Sequence, residues 1–407
     1  MYLYNILRIV LFLFSIIIMA NNTGFITNEG AYNNEDLASI FNPGTSTTVV
    51  GYKPNQTNYP GKTDLSQIFA PYVSGTKANL VGYNTYINDG GSWSALGSGF
   101  NSSCNSIAID SNNNVYAGGF FTNQGNRIAK YSTNLIRTDL SNIFAKRIVF
   151  SWSALGSGFN NTCLSIAIDS NNNVYAGGNF TSPGNRIAKW NGSSWSALGS
   201  GLNNRCYSIA IDSNNNVYAG GSFTNQGNYI AKWNGSSWSA LGSGLNSYCF
   251  SIAIDSNNNV YAGGFLTNQG NYIAKWNGSS WSALGSGLNF YCYSIAIDSN
   301  NNVYAGGDLT NQGTKIAKWN GSSWSALGSG LDDTCYSIAI DSNNNVYAGG
   351  DFTNQGTKIA KWDGSSWSAL GSGLNEYCDS IAIDSNNNVY AGGAFTNQGN
   401  RIAKFGN

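Results

Sequence analysis

A 43-residue unit dominates the chain. Trp152, Trp195, Trp238, Trp281, Trp324 and Trp367 follow one another at that spacing, and Trp93 precedes Trp152 by the same interval plus 16 residues. One unit reads WSALGSGLNNRCYSIAIDSNNNVYAGGSFTNQGNYIAKWNGSS, Trp195 to Ser237, and there are seven copies. Cys104, Cys163, Cys206, Cys249, Cys292, Cys335 and Cys378 fall one to a copy. A unit this short cannot bury an apolar face alone, so its copies must pack on one another. A period of about 40–50 residues is that of a β-propeller blade.

Each unit carries four short strand signals, SWSAL, C-x-SIAID, NVYAGG and IAKW, divided by Gly-Ser-Gly, Ser-Asn-Asn, Asn-Gln-Gly and Asn-Gly-Ser-Ser turns. No segment has a helical period. The expected fold is all-β, a seven-bladed propeller of four-stranded blades over residues 92–407. Blades are wedges, crowded at the axis and open at the rim. The small residues of SIAID and YAGG therefore belong inside and the Trp-bearing IAKW and SWSAL outside. In that order the SWSAL at Trp93 comes one strand too early for its own unit. It is expected to complete the last blade beside Ile402–Phe405 and close the ring without a free edge.

The run SIAIDSNNNVYAGG...NRIAKW resembles the NHL repeat of β-propellers. The whole unit is similar to tandem repeats of secreted and surface propeller proteins, including fungal bud-site cortical markers and, more distantly, repeat proteins of giant DNA viruses. That resemblance implies extracellular scaffolding or ligand binding without catalysis.

Ahead of the repeats, Met1–Arg8 and the apolar run Ile9–Ala20, followed by Asn21-Asn22-Thr23, have the layout of a secretory signal peptide. Twelve apolar residues fall short of the ~20 that span a bilayer, so membrane contact is expected only if this segment stays as an anchor. Residues 21–91 form an N-terminal extension with no blade motif. It contains Asp36-Leu-Ala-Ser-Ile-Phe41 and Asp64-Leu-Ser-Gln-Ile-Phe69, and the insertion at about 132–150 repeats the pattern at Asp139-Leu-Ser-Asn-Ile-Phe144. Asp capping one or two helical turns with an apolar face fits these segments.

An antiparallel meander puts the SWSAL-to-SIAID and VYAGG-to-IAKW loops on one face. Nearly all differences between copies fall there: the two residues before Cys, the one after it, the one after AGG and the one before IAK. DSNNN and NGSS, on the other face, hardly vary. Positions free to vary within one chain are those the fold does not dictate. The variable positions hold Arg205, Tyr248, Phe290, Tyr291, Asp332, Asp333, Glu376 and Tyr377, the candidate partner-binding residues, together with Tyr207, Phe250, Tyr293 and Tyr336. Aromatic residues supply contact area at binding surfaces. Those directly after Cys also suit packing between blades. Non-repeat acids gather between Asp308 and Asp379, whereas Arg127, Arg186 and Arg205 sit in earlier units; Lys315 and Lys358 lie among the acids.

Composition narrows the chemistry. The chain has no His, which removes Ser-His-Asp triads, Cys-His dyads and HExxH zinc sites. With 20 Lys+Arg against 20 Asp+Glu, phosphate-driven nucleic-acid binding is not expected. DSNNN begins like a calcium loop but has Val at the sixth position, where an EF-hand needs Gly; it reads as a hairpin turn. Equivalent cysteines in adjacent blades would lie roughly 9 Å apart, beyond the reach of a disulfide, and read as small buried hydrophobes. No metal or cofactor is expected. Asn55, Asn191, Asn234, Asn277 and Asn320 are candidate N-glycosylation sites, the last four in Asn-Gly-Ser turns that favour a tight turn with or without sugar. The expected function is a secreted or surface-displayed, non-catalytic interaction module that binds a protein or glycan through the variable face. A structural coat component is the alternative. A glycoside hydrolase built on Asp308, Asp332, Asp333, Asp351 and Glu376 is the third reading. Oligomeric state is left open.

Overall fold

The computed structural model describes residues 91–137 and 146–406, with side chains for 91–132 and 150–406. The expected signal segment, the N-terminal extension with Asn55, and all three DLxxIF segments lie outside the described residues.

Seven four-stranded antiparallel sheets form the blades of a β-propeller. Blade 3 shows the pattern: Cys206–Ile211 innermost, then Val217–Gly221, Ile230–Trp233 and Trp238–Ala240 outward. This is the order expected from residue size. In blade 7, Cys378–Ile383, Val389–Gly393 and Ile402–Gly406 are completed by Ser92–Ala95, which pairs Trp93 with Phe405 and Ala95 with Ala403. The expected strand exchange therefore closes the ring. In blade 1 the two outer strands, Ile128–Arg137 and Lys146–Ala154, stay paired from Ala129↔Ala154 out to Arg137↔Lys146. The insertion thus lengthens a hairpin and leaves the blade intact.

The turns follow from local chemistry. In DSNNN the Asp110 Oδ1 accepts the backbone N–H groups of Asn112 and Asn114, both at 2.9 Å, and Asn113 takes a left-handed conformation (φ 58°) that Asn tolerates. Asp110 Oδ2 accepts the Tyr116 hydroxyl at 3.1 Å, and Lys130 lies 5.3 Å above that ring. These carboxylates are committed to holding a turn, as the hairpin reading requires. In the NGSS turn Asn234 Oδ1 accepts Ser236 N–H at 3.0 Å and Ser237 N–H at 2.9 Å. Asp363 does the same where the sixth unit departs from Asn, and those backbone donors hold its carboxyl below the usual range.

The core consists of seven equivalent wedges between blades. One of them joins Tyr175 and Ile187 of blade 2 to Cys206, Ile209, Val217 and Phe223 of blade 3. All seven cysteines are unpaired and buried, and burial pushes their thiols up, to about 12 for Cys163 and Cys335. Each innermost strand is a sheet edge with unsatisfied donors, and the neighbouring blade satisfies them. Ile209 N–H donates to Ser165 Oγ at 2.9 Å, and the same bond crosses every interface, ending with Ile107 N–H to Ser380 Oγ at 3.0 Å. At the rim, Trp238 packs on Trp233 with ring centroids 5.5 Å apart, and its Nε1 donates to Leu198 O at 2.9 Å.

Candidate interaction face

The two variable loops of each unit meet on one face. Asn203 Nδ2 donates to Thr224 Oγ1 at 3.1 Å, and its Oδ1 accepts Thr224 N–H at 2.9 Å, stapling the SWSAL-to-SIAID loop to the VYAGG-to-IAKW loop. The residue before IAK is left-handed in every blade: Arg127, Arg186, Tyr229, Tyr272, Lys315, Lys358 and Arg401, with φ between 63° and 71°. A conformation this unfavourable for large side chains is held by two backbone bonds, such as Tyr229 N–H to Phe223 O and Gly221 N–H to Tyr229 O, both 2.9 Å. The fold therefore fixes the backbone there and leaves the side chain free to differ.

Aromatic side chains form one continuous network over blades 3 to 7. At its inner edge the residues after Cys touch from blade to blade: Tyr207 to Phe250 at 5.5 Å, Phe250 to Tyr293 at 5.6 Å and Tyr293 to Tyr336 at 6.0 Å between centroids. These rings are half-buried, so they pack between blades and keep part of their surface in solvent. Outside them, Tyr291 stands edge-on to Phe265 at 5.0 Å and against Phe290 at 4.3 Å, while Tyr248 meets Tyr229 at 6.0 Å. Tyr248, Phe265, Phe290 and Tyr377 are 38–44% exposed. Large aromatics left in water side by side make this face the candidate contact surface.

The structure brings Tyr248, Phe290, Tyr291 and Tyr377 into this network and leaves Arg205 exposed beside it. Asp333 and Glu376 are exposed on the same face. Asp332 is employed differently: its carboxylate accepts Thr353 N–H and Thr353 Oγ1–H, both at 2.7 Å, in the place where Asn203 staples blade 3. Those bonds hold the carboxyl low. Asp308 is engaged by Lys315 at 3.4 Å and by the Thr334 hydroxyl at 2.5 Å, and Asp351 by Lys358 at 2.5 Å. Asp333 Oδ1 accepts Thr334 N–H at 2.7 Å. Lysines thus neutralise part of the acidic sector, and four of the five acids considered for glycoside hydrolysis are tied into loop contacts. Phe265, Tyr272 and Tyr229 join the face as well; their positions, after AGG and before IAK, stood out as variable in the sequence.

The sequence reading places Asp379 only among the acids of the 308–379 sector. It occupies the position after Cys in blade 7, where blades 3 to 6 carry aromatic rings. Among the described residues no donor or cation pairs with its carboxylate, and burial pushes it up to about 7. A raised carboxyl binds its proton more tightly folded than unfolded. Stability from this group is therefore full below about pH 4 and is lost as pH rises through 7. The charged folded state carries a penalty of at most about 4 kcal/mol. Asp379→Asn keeps the shape and matches Asn105, its counterpart in blade 1. It is expected to raise the thermal midpoint by several degrees at pH 8.5 and by nearly nothing at pH 5. Equal effects at both pH values in calorimetry would refute this burial account.

On the opposite face a cleft of about 400 Å³ opens between blades 1 and 2, lined by Asp110, Lys130, Trp190 and Asn191 among others. Its carboxylate is the turn-holding Asp110. The sequon asparagines divide by their amides. In Asn191, Asn234, Asn277 and Asn320 the Oδ1 serves the turn and the Nδ2 has no partner among the described residues. At Asn101 and Asn160, which head the further N-x-S/T triplets Asn101-Ser-Ser and Asn160-Asn-Thr, the Nδ2 is spent on Thr122 and Thr181.

No family model matches the chain, and no curated protein sequence does. Solved structures do match in fold. The extracellular domain of the one-component system BT4673 from B. thetaiotaomicron superposes with a TM-score of 0.52 at 15% identity, over 78% of this chain and 40% of that one. The WD40 β-propeller domain of Doa1 gives 0.51 at 12% identity, over 77% of this chain and 96% of that domain. The chain therefore spans about two-fifths of the first of these and nearly all of the second. The fold is that of a seven-bladed β-propeller.

Proposed function

We propose that the chain is a non-catalytic interaction module, displayed outside the cell or on a surface, that captures a protein or glycan partner on the aromatic face of blades 3 to 7. The observation that carries this reading is the unbroken exposed aromatic network, confined to positions where the seven copies differ. Propeller neighbours that are an extracellular domain and a WD40 domain favour an interaction module over an enzyme. The signal-like N-terminus and the likeness to NHL-type surface repeats favour the extracellular setting.

The test is a glycan and protein array probed with the purified chain beside a variant carrying Tyr248→Ser, Tyr291→Ser and Tyr377→Ser. Capture is expected to fall at least tenfold in the variant, with near-ultraviolet circular dichroism retaining folded tertiary structure. Undiminished capture would remove this face from consideration. Self-association on sizing with no ligand captured would instead favour a coat component.

A further inference from the structure

We propose that the strip formed by Phe265 and Tyr272 of blade 4 with Phe290 and Tyr291 of blade 5 binds an uncharged, extended carbohydrate chain of gluco-configured pyranoses. This names the partner class for the aromatic face and rests on the interaction-module reading.

The ring planes set the shape of the ligand. Tyr272 is nearly parallel to two neighbours, at 20° to Phe265 with centroids 6.2 Å apart and at 25° to Phe290 with centroids 6.3 Å apart. Other ring pairs of the network are inclined by as much as 85°, as between Phe265 and Tyr291. Phe265 and Phe290 are 40% and 44% exposed. Three near-parallel rings bridging two blades offer successive stacking positions, so a chain of flat-faced units fits them better than a single unit.

The chemistry of the strip selects sugar over protein. A gluco-configured pyranose holds its ring hydroxyls equatorial, so its axial C–H bonds form apolar faces while the hydroxyls radiate from its edge. The negative face of an aromatic ring attracts those C–H hydrogens. Every large hydrophobic side chain left exposed among the described residues is a ring, and none is aliphatic. Protein-binding faces add Met and Arg to their rings, and neither residue occurs in blades 4 and 5. Among the described residues nothing hydrogen-bonds the hydroxyls of Tyr248, Tyr272 and Tyr291, which leaves each free to give and accept a bond at the sugar edge.

Charge points the same way. In blade 4 the only ionic residues are the repeat pair Asp255 and Lys275. Asp255 accepts the Tyr261 hydroxyl at 3.2 Å, and Lys275 lies 5.4 Å above that ring. In blade 5 the two ionic residues of the variable face, Asp308 and Lys315, pair with each other at 3.4 Å. The strip thus presents no free charge, and its complement is a neutral polymer.

Calorimetric titration of the full chain with cellohexaose, chitohexaose, cellobiose and hexagalacturonate tests the assignment. At least one neutral hexaose is expected to bind tenfold or more tightly than cellobiose and hexagalacturonate, with an affinity that does not change between about 0.05 and 0.5 M salt. Phe265→Leu combined with Phe290→Leu keeps apolar bulk but removes the rings. That variant should lose at least tenfold in affinity with its thermal midpoint unchanged. Binding of neither hexaose, tighter binding of hexagalacturonate, or a Leu variant that binds like the parent would overturn the proposal. If no hexaose binds while the array yields a protein that the parent captures and the triple Tyr variant does not, the sugar assignment falls and the interaction face stands. If the array also yields nothing, both fall.

Discussion

Alanine at Gly221 is expected to leave no folded protein. A methyl group there would overlap the Arg205 carbonyl oxygen, a backbone atom locked by the Ser222 N–H bond at 3.0 Å. Neither strand can retreat, because the sheet joins them on one side and the next blade presses on the other; a loss beyond about 4–5 kcal/mol follows from overpacking combined with backbone displacement. Its neighbour Gly220 is tight for another reason. A Cβ at Gly220 would stand 2.6 Å from Cys249 Sγ and 3.0 Å from Ile252 Cδ1 in the next blade. Gly220→Ala should therefore be severely destabilising alone and partly rescued by Cys249→Ala, which removes the sulfur. Chemical denaturation of the two single variants and the double variant reads this coupling directly. Strict additivity would show that the Gly220–Cys249 contact does not set the blade spacing. Gly235 is the control: its surroundings are open and only its φ of 101° resists alanine, so the cost should be no more than about 1–3 kcal/mol.

Removing Ser92–Ala95 should be the next most damaging change. Those four residues supply the whole outer strand of blade 7, the Trp93–Phe405 ring contact at 5.1 Å and the Trp93 Nε1 bond to Leu370 O at 2.9 Å. Their loss exposes Ile402–Gly406 as a free edge beside a vacated rim, and sheet edges of that kind pair with other chains. A loss of about 3–5 kcal/mol for the Trp contacts alone predicts a midpoint lower by roughly 10 °C and concentration-dependent aggregation on sizing. A synthetic peptide of residues 91–98 added in trans should restore part of the midpoint. An unchanged midpoint after the deletion would mean that the ring holds without its clasp.

Most of this architecture could be read before any coordinates. The tryptophan spacing set the blade count, side-chain bulk set the strand order, and the early position of Trp93 set the mode of closure. The face assignment needed only an antiparallel meander and a comparison of copies. What stayed hidden depends on neighbours in space. Asp332 looked like a free acid because it differs from Asn101, Asn160, Asn203, Asn246, Asn289 and Asn375, yet it performs the same stapling; that column of asparagines was the available signal. Asp379 looked like one more acid of the 308–379 sector, since nothing in sequence reveals that its half-buried carboxyl is desolvated. The need for Gly-Gly in VYAGG was equally invisible, because the clashing atoms are the backbone before Cys in the same blade and the sulfur of the next.

The uniformity of the blade junctions has a consequence for how such a molecule changes size. Each junction uses the same serine, the same cysteine and the same glycine, so any blade is an acceptable neighbour for any other. Excision of one whole 43-residue unit would leave every remaining contact chemically matched, with only the wedge angle to adjust. Chains differing by a unit should close as smaller or larger rings, or complete themselves by borrowing a blade from a second copy. Such changes, where they fall in blades 3 to 7, would lengthen or shorten the aromatic arc in steps of one blade without redesigning the interior.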